Sequence, residues 1–334
     1  MNFFKNFLHS YLELPAKTDR IVCLGGGTGL PNLLTGLKLY TKNLTAIVTM
    51  CDEGGSSGRL RRILGVPPVG DIRNCLVALS TSEEIFSKLL NYRFAGNRYG
   101  ADSELGGHSL GNLILAALSD ITGNFNKGLE SLAQILAIAG KVLPSTEANV
   151  RIWAQTSDGK KVFGEENIDL GRYDGARTIK RLGLAPANAP GFPPALAALA
   201  TADIICAGPG DLYTSIMPNL LITDIAAAIK KSAAAKIFIL NIANKPFETP
   251  NYSASDYLAA VRDHCGTNLF EYIAVNTNFP AKIPAKLKYH YVNVDFNKLK
   301  KDFSVKIIGG DFQSSANPLH HDSEKLAKAV ISML

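Results

Sequence analysis

The chain has 334 residues, of which 46% are hydrophobic and 19% charged, and its formal net charge is +6 at pH 7. This composition is typical of a folded globular protein and excludes general disorder. The basic residues are scattered apart from short runs at 59–62 and 298–301. We therefore expect no nucleic-acid partner, and the small positive surplus is compatible with an anionic small ligand.

Cysteine spacing, apolar runs and targeting patterns indicate the compartment and argue against some kinds of site. Five widely spaced cysteines without a CxxC pair argue against a disulfide framework and a thiolate zinc site. No apolar run approaches the ~20 residues of a membrane helix, so no integral membrane contact is expected. No signal-peptide pattern is present, and we expect a cytoplasmic protein. Residues 1–19 are interpreted as a leader, with a docked helix favoured over a peripheral membrane or partner contact.

The chain begins and ends with alternating strands and helices. Residues 20–24 predict a buried strand that ends in a glycine run at 25–29, and 44–50 predict a second strand after a helix over 30–40. This order is typical of a βαβ unit in a parallel sheet. The later strands are predicted at 202–207 and 236–242, with edge strands at 272–275 and 289–294, and the later helices at 225–232, 255–265 and 323–334.

The middle of the chain has a different pattern. Helices are predicted at 71–80, 83–94, 108–121 and 125–139, and a hairpin joins strands at 149–155 and 161–163. We interpret 20–334 as one domain with an insertion at about 80–185. The predicted fold class is α/β: a Rossmann-like, doubly wound, mostly parallel sheet with an inserted helical and β-hairpin segment.

Three glycine-rich loops follow predicted strands, at 25–29, 51–58 and 208–214. Ligands of open parallel sheets bind beyond the carboxyl ends of the strands, and glycine lets backbone N–H groups converge on a phosphate. Loop 25–29 lacks the spacing of a dinucleotide fingerprint and the Lys and Ser/Thr of a P-loop. A tight turn is the alternative for one such loop, but three at one sheet edge favour an anion site.

Polar residues next to these loops are candidate ligand-binding or metal-binding residues, and for each of them a purely structural role is the alternative. Asp52 and Glu53 would repel a phosphate unless they hold Mg²⁺ or bind hydroxyls, and otherwise they cap a helix or face solvent. Asp71 is predicted as an N-cap. Arg73 in the same first turn opposes the helix dipole, so it needs a partner, either a phosphate or a carboxylate. His108 is an acid, a base or a phosphate contact, or only a cap.

At this point the chain resembles a known family. The motifs that carry the resemblance to the YvcK-type gluconeogenesis factors are GGGTGL at 25–30, GGSSGRL at 54–60, GDIRN at 70–74, GHSLGN at 107–112, VLPS at 142–145, LYTS at 212–215 and PNLL at 218–221. Their order follows the family from about residue 20 to 265, and His321-Asp322 also fits. No GxSxG, HExxH or P-loop signature is present.

The resemblance implies a fold shared with CofD, the metal-dependent 2-phospho-L-lactate transferase that uses a guanine-nucleotide-carried donor. It also implies UDP-sugar binding, notably of UDP-N-acetylglucosamine, and a role in cell shape and in growth on gluconeogenic carbon sources. No settled reaction belongs to the family, so catalytic residues stay unassigned. Two positions depart from its pattern: Glu53 replaces a second aspartate and Asp211 replaces a serine. Asp211 would weaken diphosphate binding unless it caps the next turn or binds a metal.

The main hypothesis is therefore a nucleotide-sugar-binding regulatory protein, with a CofD-like transferase carrying Mg²⁺ on Asp52 and Glu53, or a pure scaffold, as rivals. Asp52 is the candidate metal ligand, and a homodimer is compatible with the sequence although no motif specifies it. The expected ligand-binding residues are Gly26, Gly27, Thr28, Gly29, Asp52, Gly55, Ser56, Arg59, Asp71, Arg73, Asn74, His108, Asn112, Gly208, Gly210, Tyr213, Thr214, Ser215, Asn219, Asn241 and Tyr252.

Overall fold

The computed structural model describes residues 19–96, 105–173, 178–279 and 282–334, so the predicted leader lies almost wholly outside the described residues. The strands in the described ranges are β1 Ile21–Gly25, β2 Leu44–Val48, β3 Lys141–Pro144, β4 Arg151–Thr156, β5 Lys161–Phe163, β6 Ile179–Ala185, β7 Ile204–Ala207, β8 Ala235–Ile239, β9 Ala243–Asn244, β10 Tyr272–Asn276, β11 His290–Tyr291 and β12 Lys306–Gly310.

Seven of these strands form one parallel sheet in the order β12-β10-β8-β7-β1-β2-β3. The central strand β1 is buried along its whole length, as are the four residues of β7 beside it. Strands covered on both faces read as continuous apolar runs, which is why these segments lack the alternation of a half-exposed sheet. The predicted Rossmann-like α/β fold class is confirmed.

Helices cover both faces of the sheet. Their bounds in chain order are Gly29–Leu37, Gly55–Leu64, Gly70–Leu79, Glu84–Asn91, Leu110–Ile121, Phe125–Ile135, Glu165–Asp169, Pro193–Thr201, Met217–Leu220, Thr223–Lys231, Ala254–Cys265, Phe296–Phe303 and Ser323–Ile331, with a π-helical turn at Leu212–Ile216 and a 3₁₀ turn at Ala285–Leu287. The first helix fully buries Leu30, Leu33, Leu34 and Leu37. Each such side chain contributes about 2 kcal/mol of burial free energy, which fixes the loop before it against the sheet.

Several element predictions need correction. The strand at 272–275 is not at an edge, because β10 lies between β8 and β12. The edges are β3 and β12, neither of which was predicted as a strand. The strand expected at 289–294 shrinks to the two residues of β11, paired with β9. The predicted hairpin is confirmed as β4–β5, which joins β6 in a separate three-stranded antiparallel sheet.

Candidate functional site

Two glycine loops meet at the carboxyl ends of β1 and β7. We call residues 25–29 the β1 loop and residues 208–215 the β7 loop. The two strands are neighbours in the sheet, so their loops are adjacent. A Cβ atom at Gly29 would overlap the carbonyl oxygen of Pro209, so only glycine allows this approach. The buried carboxamide of Asn219 donates to one backbone oxygen in each loop, at 3.2 and 2.9 Å, and ties them together.

A cleft of about 170 Å³ opens where these loops meet. Five predicted residues line it: Thr28, Gly29, Gly210, Ser215 and Asn241. Sequence reasoning missed four others that line it: Asn32, Tyr289, Leu319 and His320. None of these four belongs to a glycine motif, so only the fold brings them to the cleft.

The helix Gly29–Leu37 begins at this cleft without a cap. The side chain of its N-cap residue, Thr28, makes no capping hydrogen bond, and the first turn contains no acidic residue. Within the described part of the chain, the backbone N–H groups of Thr28 and Gly29 have no hydrogen-bond acceptor. Free N–H groups at the positive end of a helix dipole form a site for an anion such as phosphate.

Most backbone donors of the β7 loop are already used inside the protein. The Gly210 N–H donates to Oδ1 of Asn241 at 3.0 Å. The N–H groups of Tyr213 and Thr214 donate to Oε2 of buried Glu248 at 3.0 and 3.2 Å. The N–H groups of Asp211 and Leu212 have no acceptor among the described residues, so the expectation that backbone donors of both loops hold a diphosphate stays a prediction.

Three predicted ligand residues lie in the interior beside this turn. Thr214 is buried and donates its hydroxyl to Oε1 of Glu248 at 2.8 Å. The Tyr213 hydroxyl lies 2.9 Å from that of Tyr252, and their rings pack edge to face. Burial raises the pKa of both phenols above the usual range. These contacts anchor the turn, and only Ser215 of the LYTS motif lines the cleft.

Asp71 and Asn74, on the helix Gly70–Leu79, pack against the β1 loop. The Asn74 amide donates to the Gly27 carbonyl oxygen at 2.7 Å, and a Cβ atom at Gly27 would overlap Oδ1 of Asp71. The predicted N-cap role of Asp71 is wrong, because the helix begins at Gly70 and Val69 is its N-cap. Burial raises the pKa of Asp71, and the charge of Asp52 raises it further. A Gly27 N–H that bonds the carboxylate opposes this shift.

The carboxylates near the cleft are the candidates for a metal site. Asp52 accepts the Gly54 N–H at 2.9 Å and belongs to no group of three ligands in metal-binding distance among the described residues. One such group exists, with its oxygens within 4.8 Å of one another, and consists of Asp169, Asp211 and Glu248.

Lys245 already lies inside this carboxylate group. Its Nζ contacts Asp169, lies 2.6 Å from Oδ2 of Asp211 and lies 3.3 Å from Oε1 of Glu248. An ammonium in that position supplies the positive charge that Mg²⁺ would supply, so the group does not fit a resident divalent cation. Asp211 makes no side-chain cap of the turn and instead forms an ion pair with Lys245.

A further set of predicted residues forms a buried polar cluster away from the cleft. Ser56 Oγ lies 2.9 Å from His108 Nδ1 and accepts the Asn112 amide at 3.0 Å. Which of Ser56 and His108 donates in their hydrogen bond depends on the histidine tautomer. Burial, with the charges of Arg59 and Arg93, lowers the pKa of His108. The cluster joins the helices that begin at Gly55 and Leu110.

Arg73 ties two helices together. Its Nη1 donates to the Leu90 carbonyl oxygen at 3.1 Å and to Oδ1 of Asn91 at 3.0 Å, and its Nη2 contacts Oδ1 of Asn74. The side chain is buried. The structure thus supplies internal partners for Arg73, and among the described residues these include carbonyl and amide oxygens.

Fold and cleft together define a parallel α/β protein with a cleft at the glycine loops of its central strands. The chain belongs to the CofD family, since the family model described as 2-phospho-L-lactate transferase CofD matches residues 21–313. This confirms the resemblance found in the motifs. Among the described residues no single helix is long and apolar enough to cross a bilayer; the bent pair Leu212–Leu220 and Thr223–Lys231 passes jointly by length and composition.

Relatives match over nearly the whole chain. The Gluconeogenesis factor of Bacillus subtilis is 39% identical, with 94% of this chain and 98% of the relative covered. That of Halalkalibacterium halodurans is 41% identical, with 94% and 96% covered. A crystal structure of a Bacillus halodurans protein, 40% identical, matches with a TM-score of 0.87 and covers 94% of this chain and 100% of its own.

Proposed function

We propose that this protein is a regulatory protein that binds a nucleotide sugar, with UDP-N-acetylglucosamine as the ligand. The carrying observation is the uncapped start of the helix Gly29–Leu37, which presents open N–H groups to the cleft. A diphosphate is the part of a nucleotide sugar that needs such donors.

The cleft offers separate partners for the rest of the ligand. Ser215 and Asn241 place a hydroxyl and a carboxamide beside the β1 loop, and both suit phosphate or sugar oxygens. Tyr289 adds a half-buried aromatic ring on which a base can stack. Lys245 offsets part of the repulsion that Asp211 would exert on a diphosphate, since its single charge is shared with Asp169 and Glu248.

The cellular role that we propose is a link between central carbon supply and envelope synthesis that maintains cell shape. The relatives named gluconeogenesis factors support the carbon-supply half of this role. The envelope half depends on the family resemblance in the motifs and on the choice of an amino sugar nucleotide as ligand.

The rival function is a transferase, as in the name of the matching family model. Lys245 favours the binding function over the transferase. Its ammonium supplies a fixed positive charge at the place where the carboxylates are closest and where a metal-dependent transferase would hold its ion. Calorimetric titration with UDP-N-acetylglucosamine, GDP and GTP, each with and without Mg²⁺, tests both. Saturable binding of the UDP-sugar, recovered intact, supports the regulator. Metal-dependent preference for guanine nucleotides supports the transferase instead.

Variants locate the binding. Ser215→Ala and Tyr289→Leu change the cleft without touching the core, so we expect weaker UDP-sugar binding from each. Tyr272→Leu, a matched change on β10 far from the cleft lining, should leave the affinity unchanged. Equal loss in all three variants would contradict this site.

A further inference from the structure

A second cavity lies beside the helix Gly55–Leu64 and has a volume of about 460 Å³. None of its lining residues lines the cleft at the glycine loops. Its size is within the range of small-molecule sites. Four arginines line it: Arg61, Arg62, Arg151 and Arg172. We call this cavity the arginine pocket.

The four arginines come from three separate parts of the chain. Arg61 and Arg62 belong to the last turn of the helix Gly55–Leu64, where cations are favourable near the negative end of the dipole. Arg151 begins β4, and Arg172 follows the short helix Glu165–Asp169. Four like charges that the fold brings to one cavity repel one another, so the arrangement is favourable only if anionic groups face them.

Among the described lining residues, two glutamates supply negative charge. Glu53 pairs with Arg151 and Glu166 pairs with Arg172. Two glutamates against four arginines leave a formal charge of +2 in the lining. These arginines are 60% and 50% exposed, and ion pairs this exposed contribute little to stability, so they can rearrange around a ligand.

The other two arginines keep donors open. Among the described residues, the exposed Arg62 makes no ion pair or hydrogen bond. Arg61 donates through Nη2 to Asn149 and to the Val150 carbonyl oxygen, but its buried Nη1 has no hydrogen-bond partner in the described chain. A buried guanidinium nitrogen without an acceptor is costly, and an anion in the pocket would remove that cost.

A wall of carboxylates separates this pocket from the cleft. Asp71 lies against the β1 loop, and Glu165 contacts the Glu53 N–H next to the pocket. Asp52 lies between them: a Cβ atom at Gly54 would meet both Asp52 and Glu165, at 3.4 and 3.7 Å, and one at Gly70, next to Asp71, would meet Asp52 at 3.0 Å. One diphosphate therefore cannot use the β1 loop and the arginines together without crossing this wall.

We propose that the arginine pocket is a second anion site, which binds a small phosphate-bearing molecule with at least two negative charges. The planar guanidinium fork matches phosphate oxygens in pairs, and the lining lacks the aromatic ring that a nucleoside would need. The site is independent of the proposed nucleotide-sugar function, and a ligand there would connect β4 with the helix Gly55–Leu64.

The test is calorimetric titration of the full chain with pyrophosphate at low salt. We expect saturable binding that weakens as salt is added, because the contacts are ionic. Arg62→Gln should weaken it about tenfold, and Arg62→Gln with Arg172→Gln further, since each charged hydrogen bond contributes about that factor. The matched control Arg262→Gln changes a surface arginine elsewhere and should have no effect. Equal melting temperatures exclude misfolding as the cause.

A cleft variant distinguishes the two anion sites. Pyrophosphate binding that survives Ser215→Ala but is weakened by Arg62→Gln supports the arginine pocket. Binding that is lost in Ser215→Ala and unchanged in Arg62→Gln would place the probe at the β1 loop and overturn the proposal, as would no saturable binding at all. UDP-N-acetylglucosamine affinity should be unchanged in Arg62→Gln, so failure here and failure of the proposed function are separate results.

Discussion

The Lys245 ammonium lies 2.6 Å from the Asp211 carboxylate and also contacts Asp169 and Glu248. Asp211 departs from the family pattern at a position next to the proposed diphosphate site. The lysine offsets part of this extra charge, and it shares its single positive charge among three carboxylates. Glu248 in turn accepts the N–H groups of the β7 loop, and one lysine therefore stabilises the wall of the cleft.

Replacing Lys245 tests this arrangement. Lys245→Met keeps most of the volume but leaves three close carboxylates without a cation, and we expect about 3 kcal/mol less unfolding free energy in urea. Added Ca²⁺ should raise the melting temperature of this variant more than that of the parent, because the oxygens are already grouped. Lys230→Met, on an exposed helix end, is the control. A variant as stable as the parent would refute the role of Lys245.

Gly29→Ala should damage both stability and binding. Its Cβ atom would overlap the Pro209 carbonyl oxygen, so the β1 and β7 loops must separate. We expect a loss of about 1–3 kcal/mol in unfolding free energy and at least a tenfold loss of UDP-sugar affinity. Gly309→Ala, whose Cβ would meet only a methyl group of Thr277 at 3.1 Å, should retain the affinity. Normal UDP-sugar affinity in Gly29→Ala would show that the β1 loop does not take part in binding.

Ser56→Ala separates a structural from a functional role of its cluster. The change leaves His108 Nδ1 and the Asn112 amide without their shared partner in a buried place, which costs about 1–3 kcal/mol. UDP-sugar affinity measured well below the melting temperature should not change. Ser131→Ala, at a half-buried position whose hydroxyl donates to the Lys127 carbonyl oxygen of its own helix, is the stability control. Loss of UDP-sugar affinity in a folded Ser56→Ala protein would show that the cluster takes part in binding.

Acid should destabilise the protein through His321. Burial lowers the pKa of this histidine to about 4, and its Nε2 has no hydrogen-bond partner in the described chain. The unfolded chain binds the proton more readily, so the contribution of His321 to stability is complete above pH 6.5 and falls by about 3 kcal/mol as the pH drops to 4. The buried carboxyl groups of Asp71, Glu165 and Glu248, whose pKa values are raised, act in the opposite direction. Urea unfolding at several pH values measures this.

His321→Asn provides the comparison for that series. The pH dependence should become shallower in the variant, although not flat, because the lowered pKa of His108 acts in the same direction. An identical slope in parent and variant would mean that His321 does not carry the effect.

The sequence predicted what depends on local pattern. Apolar runs that end in glycine located β1 and β7 and their loops, because burial on both faces and close backbone approach each leave a mark in the residues themselves. It did not distinguish Ser215, which lines the cleft, from Thr214, which turns into the core. That difference depends on the π-helical turn and on its hydrogen bonds to Glu248, 34 residues away.

Residues brought together only by tertiary packing gave no local signal. Tyr289, His320 and Asp169 lie in segments without a motif. Arg73 was recognised as needing a partner from helix electrostatics, but that argument could not choose between a ligand and the Leu90 carbonyl oxygen. β12 was missed because two of its five residues are glycines.

The adjacency of β1 and β7 has a consequence for how the protein is made. Asn219 is 194 residues from the Gly25 oxygen that it binds, so the cleft does not exist while only the first half of the chain has left the ribosome. Contacts this distant in sequence form late, after the entropy of closing a long loop has been overcome. A ligand that spans both loops would therefore act on the finished molecule and would slow its unfolding.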